Sequence, residues 1–159
     1  MYIEKIKFKN FIVLIKANDE YLVSIDITNL NSIQEKSNHI TKMTKIELEK
    51  YFNGEKYDFS KIKLNLNEHT IFRQNVLNQL KKIPYGTTVT YKELANSLNS
   101  KAFMAVGTAL SKNPYLIILP CHRVIRSDAS IGNFTCAVNG IKEYLLNLEK
   151  EYLSNKYRE

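Results

Sequence analysis

The chain has 159 residues, 44% of them hydrophobic and 25% charged, which excludes a largely disordered polymer and fits one domain or two small ones sharing a core. No run approaches the about 20 apolar residues of a membrane helix, the longest being Tyr115–Pro120. Lys and Arg number 23 against 16 Asp and Glu, a net charge of +7, of which residues 67–159 carry +5 and residues 1–66 only +2. That balance favours either an anionic partner, nucleic acid above all, or a lysine-rich solubility surface.

The opening Met1-Tyr2-Ile3-Glu4-Lys5 lacks the layout of a secretory signal, so a cytoplasmic protein without membrane contact is expected. Residues 1–27 read as three β segments: Ile3 to Phe8, Phe11 to Ile15, and Tyr21 to Ile27. Asn10 and Asn18-Asp19-Glu20 break them as turns, which predicts an antiparallel meander. Residues 28–43 are polar and weakly patterned. Thr44-Lys45-Ile46-Glu47 has the form of a capping box opening a short helix, which Asn53-Gly54 stops. Residues 55–68 read as a polar linker. The boundary is placed there, giving an N-terminal α/β domain over 1–66 and a mostly helical domain over 67–159.

In the second part, Phe72, Val76, Leu77, Leu80 and Ile83 have helical spacing up to Pro84-Tyr85-Gly86. Thr90-Tyr91-Lys92-Glu93 is a second capping box, opening a short helix with Leu94, Ala95 and Leu98 inward. After the turn Asn99-Ser100, Phe103, Val106 and Leu110 mark the next helix. Two short helices joined by a tight turn form either a helix-turn-helix or an ordinary helical hairpin. Leu116–Leu119 reads as a short buried strand ended by Pro120. Ile141, Tyr144, Leu145, Leu148 and Tyr152 pattern a final amphipathic helix.

The chemistry concentrates in Pro120-Cys121-His122-Arg123-Val124. The thiolate is the reactive form of cysteine, and a neighbouring base or cation favours it. Adjacent side chains on an extended segment point to opposite sides, so His122 is expected to reach Cys121 through a water. A histidine base needs a third group to fix its tautomer, and Glu149 stands at the edge of the final helix's inward face. The competing reading is an inert buried thiol. Cys121 and Cys136 make no disulfide framework, and with His39, His69 and His122 they match no zinc spacing, so no structural metal is expected.

Pro-Cys-His-Arg-Val resembles the active-site motif of the O6-alkylguanine-DNA alkyltransferases, the methylated-DNA–protein-cysteine methyltransferases. Phe72–Leu80, Ile83-Pro84-Tyr85-Gly86, Thr90–Ala95, Ala105-Val106-Gly107, Lys112-Asn113-Pro114, Ile118-Leu119-Pro120, Ser127-Asp128, Gly132-Asn133-Phe134 and Lys142–Glu149 fall in family order, covering about residues 69–150. The resemblance implies an RNase H-like antiparallel-sheet domain followed by a helical domain with a helix-turn-helix. It implies a monomer that acts once on double-stranded DNA containing O6-alkylguanine, after flipping the base, with no cofactor.

By resemblance Cys121 is the alkyl acceptor, His122 takes its proton through water, Glu149 orients that histidine, and Asn113 holds the network. Tyr91 contacts the guanine and protonates it as it leaves. Backbone groups of Cys121 and Val124 read its amino edge, and the Thr135 amide faces O6. Residues 102–111 form the recognition helix, which lies in the minor groove and presents Met104 and Ala105. Thr90, Arg126 and Ser127 complete the substrate and DNA contacts, while Arg123 ties loops together. Two departures stand out. Met104 replaces the family's arginine, leaving an apolar plug without a hydrogen-bonding head. Residues 135–140 replace a glycine pair, with an apparent insertion before Lys142, and Cys136 there reads as apolar filler. A protein of this fold that binds lesions without transferring them is the alternative, against which the retained Cys121 argues.

Overall fold

Alternating apolar residues and two short turns lay the first part of the chain out as a three-stranded antiparallel sheet in the order β1-β2-β3. Its strands are β1, Tyr2–Lys7, β2, Ile12–Ala17, and β3, Leu22–Thr28. The computed structural model describes residues 1–55, 58–132, 134, 136 and 138–156. Tyr2 pairs with Ala17 and Lys7 with Ile12; Ile12 in turn pairs with Thr28, with a bulge at Lys16/Ala17. The Asn18 side chain closes the second turn by accepting from the backbone amides of Glu20 and Tyr21, both at 2.8 Å.

Helix α1, His39–Phe52, packs on β1 and β2. It begins five residues before the expected box at Thr44. The working box is Asn38 with Thr41, each side chain accepting the other's amide at 2.9 Å. Thr44 is instead buried inside the helix and donates to the Ile40 carbonyl at 2.8 Å. Phe8 stacks on Phe11 and meets Phe52 at a tilt of 53°, with centroids 4.6 Å apart in both pairs, closing one end of this core.

The described chain divides into two compact units. The first comprises 1–65 with 114–116 and 136–139, and the second 66–113, 117–135 and 140–159. The chain thus passes between the units more than once along its length. Tyr115 makes a parallel bridge with Ile25, and its hydroxyl donates to the Leu22 carbonyl at 2.6 Å.

The second unit is helical: α2, Ile71–Gln79, α3, Tyr91–Ser97, α4, Phe103–Ser111, and α5, Ile141–Lys156. Thr90 and Glu93 form the expected capping box on α3, and Asn99 takes a positive φ of 53° in the turn before α4. Val76, Leu77, Val106, Ala109, Leu110, Ile141 and Leu145 fill the core. Phe72, Phe103 and Tyr144 do not, being 38%, 47% and 41% exposed. Each lies in the first or second turn of its helix.

Two features escaped the sequence pattern. β4, Val89–Thr90, and β5, Val124–Ile125, form a two-residue parallel pair, too short to show periodicity. Residues 116–119 are buried as expected but form a turn rather than a strand. Ile117 reverses the chain at φ 73° between Pro114 and Pro120, and an apolar run looks the same in a buried turn as in a buried strand.

Candidate active site

Cys121 follows that turn and opens a single 3-10 turn, Cys121–Arg123, instead of ending a strand. The 3-10 turn leads into β5, while β4 leads into Tyr91 at the start of α3. Pairing Val89 with Val124 and Thr90 with Ile125 brings Tyr91 and Cys121 to the same cavity, of about 460 Å³. Cys121, itself 9% exposed, forms part of the wall, with Tyr91, Arg126 and Phe134 around it. The face of α4 bearing Gly107, Thr108 and Ser111 supplies another side, and Met104, 88% exposed, stands at its edge.

The sulfur has a built environment. Asn113 Nδ2 donates to Cys121 Sγ at 3.3 Å and to the Leu119 carbonyl at 2.7 Å, so one amide group fixes both the turn and the thiol. His122 does not hydrogen-bond Cys121. Its Nε2 meets Glu149 Oε2 at 2.5 Å, and both side chains are buried. Burial pushes the His122 pKa below its ordinary value, although Glu149 pulls it up. Burial would push the Glu149 carboxyl up, but the hydrogen bond from His122 and the hydrogen bonds and charge of Arg123 act against it and hold it well below the usual carboxylate range. The consistent state is a neutral imidazole facing a carboxylate.

That state fixes the tautomer. A carboxylate only accepts, so Nε2 carries the proton and Nδ1 is left as an acceptor. Nδ1 is also a buried atom without a hydrogen-bond partner among the described residues. Glu149, expected at the edge of the inward face, is fully buried. Arg123 supplies its compensating charge, with Nε at 2.8 Å and Nη2 at 3.1 Å from the carboxylate oxygens, while Nη1 donates to the Ile83 carbonyl at 2.8 Å. The Gly86 amide donates to the same carboxylate at 3.1 Å. Arg123 thus ties the 83–86 turn to α5, as the sequence reading has it.

Burial raises the Tyr91 hydroxyl above its ordinary pKa, and a negative Cys121 adds to the effect, so the phenol stays protonated at neutral pH. Lys142 is a residue that the sequence reading assigned no role. It is 4% exposed, its Nζ donates to the Val124 carbonyl at 2.6 Å, and it lies 5.8 Å from the Tyr91 ring centroid. Burial lowers its pKa to about 8, with the Cys121 charge acting in the opposite direction. A lysine on an amphipathic helix normally reads as solvent-facing, so no sequence signal marks it.

The remaining expected residues are spread around this centre. Thr90 Oγ1 caps α3 by accepting from the Glu93 amide at 3.0 Å. Val124 is buried, and its carbonyl is engaged by Lys142. Ala105 and Ser127 are exposed and do not line the cavity. Thr135 lies outside the described residues. Cys136 is half-buried, its Sγ donating to the Val138 carbonyl at 3.0 Å, and burial raises its thiol pKa. No cluster of His, Cys, Asp or Glu among the described residues is arranged to hold a metal ion.

Comparison with known proteins gives a consistent set of likenesses. Residues 71–151 match the family described as 6-O-methylguanine DNA methyltransferase, DNA binding domain. A methylated-DNA–protein-cysteine methyltransferase of Methanosarcina acetivorans is 47% identical over 104 residues, which span 65% of this chain and 65% of that protein. The one of Metallosphaera sedula is 34% identical over 139 residues, 86% of this chain and 85% of that protein. Among solved structures, Mycobacterium tuberculosis OGT in complex with DNA superposes with a TM-score of 0.82 at 30% identity, covering 96% of this chain and 94% of that one.

Proposed function

The chain belongs to the 6-O-methylguanine DNA methyltransferase family, and we propose that it moves the alkyl group of O6-alkylguanine in duplex DNA irreversibly onto its own Cys121. The observation that carries this reading is the sulfur on the cavity wall, held by Asn113, beside a histidine whose tautomer leaves Nδ1 free to take a proton.

In the proposed step the Cys121 proton passes through a bridging water to His122 Nδ1, and Glu149 stabilises the imidazolium that forms. The thiolate attacks the alkyl carbon from the side opposite O6. The S–C bond forms, the C–O6 bond breaks, and the electron pair stays on the guanine oxygen. Tyr91 supplies the proton that neutralises the leaving base. The product is a thioether with no easy return to thiol, so each molecule acts once. Because the nucleophile is the final acceptor, the step balances without a cofactor.

A sulfur this recessed does not reach O6 inside a stacked duplex. The nucleotide must therefore be flipped out, at a cost of a few kcal/mol. In this reading α3 and α4 act as a helix-turn-helix with α4 in the minor groove, and Met104 plugs the gap left by the base. Arg126, Ser127, Ala105 and Thr90 lie toward the DNA. Backbone groups of Cys121, Val124 and Thr135 read the guanine, and the first unit is an RNase H-like domain. The protein works as a cytoplasmic monomer.

The test is incubation with a duplex carrying O6-methylguanine, followed by digestion and mass measurement. The peptide containing Cys121 is expected to gain one methylene while the lesion disappears. An unmodified Cys121 with the lesion intact overturns the reading, and tight lesion binding without transfer would replace it with that of a non-catalytic lesion-binding protein.

A further inference from the structure

The cavity beside Cys121 carries a cation that the transfer step leaves unused. Arg126 is exposed at the end of β5, and its side chain lines the cavity with Cys121 and Tyr91. It reaches there across Gly132, whose φ is 78°. A Cβ on that residue would stand 3.3 Å from the Tyr91 hydroxyl and 3.5 Å from Arg126 Cγ. The Arg126 guanidinium makes no hydrogen bond or ion pair among the described residues. Asp128 feels its charge, but that carboxylate is engaged by Ser130, through the amide at 3.0 Å and the hydroxyl at 2.6 Å. Among the described residues no Asp or Glu lines the cavity.

Lys142 differs from Arg126. It is buried, fixed to the Val124 carbonyl, and electrostatically coupled to the Cys121 sulfur, so it answers the thiolate charge. Arg126 is left as excess positive charge at a cavity wall without acids. Resting on the proposed transfer to Cys121, we propose that Arg126 selects O6 substituents that carry a carboxylate, such as carboxymethyl, over neutral substituents of the same size. A carboxylate brought beside a thiolate is otherwise repelled, and Arg126 offsets that repulsion. The bonds made and broken are those of methyl transfer. Sγ bonds to the methylene carbon, that carbon's bond to O6 breaks, and the carboxylate remains on the new thioether.

The experiment measures single-turnover transfer at saturating duplex from O6-carboxymethylguanine, from its neutral amide isostere O6-carbamoylmethylguanine, and from O6-methylguanine. The proteins are the wild type, Arg126→Gln and Arg126→Lys. The carboxymethyl-to-carbamoylmethyl rate ratio is expected to fall about fivefold in Arg126→Gln, the upper range for a solvent-screened ion pair, and to be kept in Arg126→Lys. A ratio unchanged in Arg126→Gln, including the case where all three rates drop together through lost phosphate contact, overturns the inference. Wild-type protein that transfers no methyl overturns the function on which it rests, and this inference with it.

Discussion

His122 Nε2 and Glu149 Oε2 lie 2.5 Å apart with neither side chain in contact with solvent. Their pKa values are both displaced downward, which gives folding stability a defined pH dependence. Below pH 6.5 the unfolded histidine takes up a proton that the buried one resists, so stability begins to fall. Glu149 ionises at about 2 when folded against 4.5 unfolded, so its contribution is complete above pH 4.5 and is lost as pH falls toward 2. Glu149→Gln is expected to destabilise by about 3–5 kcal/mol, because it leaves Arg123 buried without its partner. It should also remove the lower limb of the acid transition. Denaturant midpoints measured against pH check both; parallel curves for wild type and variant would contradict the assignment.

Asn113→Ala removes the donor to Cys121 Sγ. A hydrogen bond to a charged group is worth about 1.5–3 kcal/mol. The pH midpoint for alkylation of Cys121 by iodoacetamide should therefore rise by about one unit or more. An unchanged profile would mean that Asn113 serves only the Leu119 turn.

Cys121→Ser keeps the shape of the 3-10 turn and loses the proposed nucleophile. Transfer is expected to vanish while affinity for lesion-bearing duplex stays within about twofold of wild type. Gel-shift titration beside the transfer assay separates the two, and loss of binding would give the cysteine a structural role instead.

Met104 is the most exposed large apolar side chain among the described residues of the second unit. Met104→Arg adds a charge at the N-terminal turn of α4, and binding to duplex should tighten. The slope of log affinity against log salt should steepen by about 0.9, the release expected for one further phosphate contact. Anisotropy titrations across a salt series measure it. Unchanged affinity and slope would place the side chain away from the DNA.

Gly86 has a φ of 79°, and a Cβ there would stand 2.5 Å from Leu153 Cδ2. Gly86→Ala is expected to lower stability by about 1–3 kcal/mol. Gly107→Ala, in mid-helix with nothing within 4 Å of the new Cβ, should raise it by about 0.5–1 kcal/mol. Thermal unfolding of the two variants makes the comparison; equal effects would remove the conformational argument for Gly86.

The sequence was most legible where local chemistry decides structure. The Thr90–Glu93 box starts α3 because its two side chains satisfy the helix's own first amides. Thr44-Lys45-Ile46-Glu47 has the same spelling but sits one turn inside α1, since Asn38 and Thr41 cap the helix first. Tyr115–Pro120 shows burial without geometry, for nothing in an apolar run announces the positive φ at Ile117. In the site, helical spacing pointed to Glu149 but put it at an edge. The arrival of His122, Arg123 and Gly86 from distant positions makes full burial of that carboxylate tolerable. Lys142 was invisible for the converse reason, because its partner is a backbone carbonyl that leaves no trace in residue types.

The grip of Glu149 on His122, Arg123 and the Gly86 amide also orders events during synthesis. Cysteine, histidine and arginine emerge from the ribosome well before residue 149 does. Until α5 arrives, the imidazole has no fixed tautomer and the arginine no counterion. On the proposed mechanism the nascent polypeptide is thus unarmed, and its sulfur gains its full reactivity only once the final helix has docked.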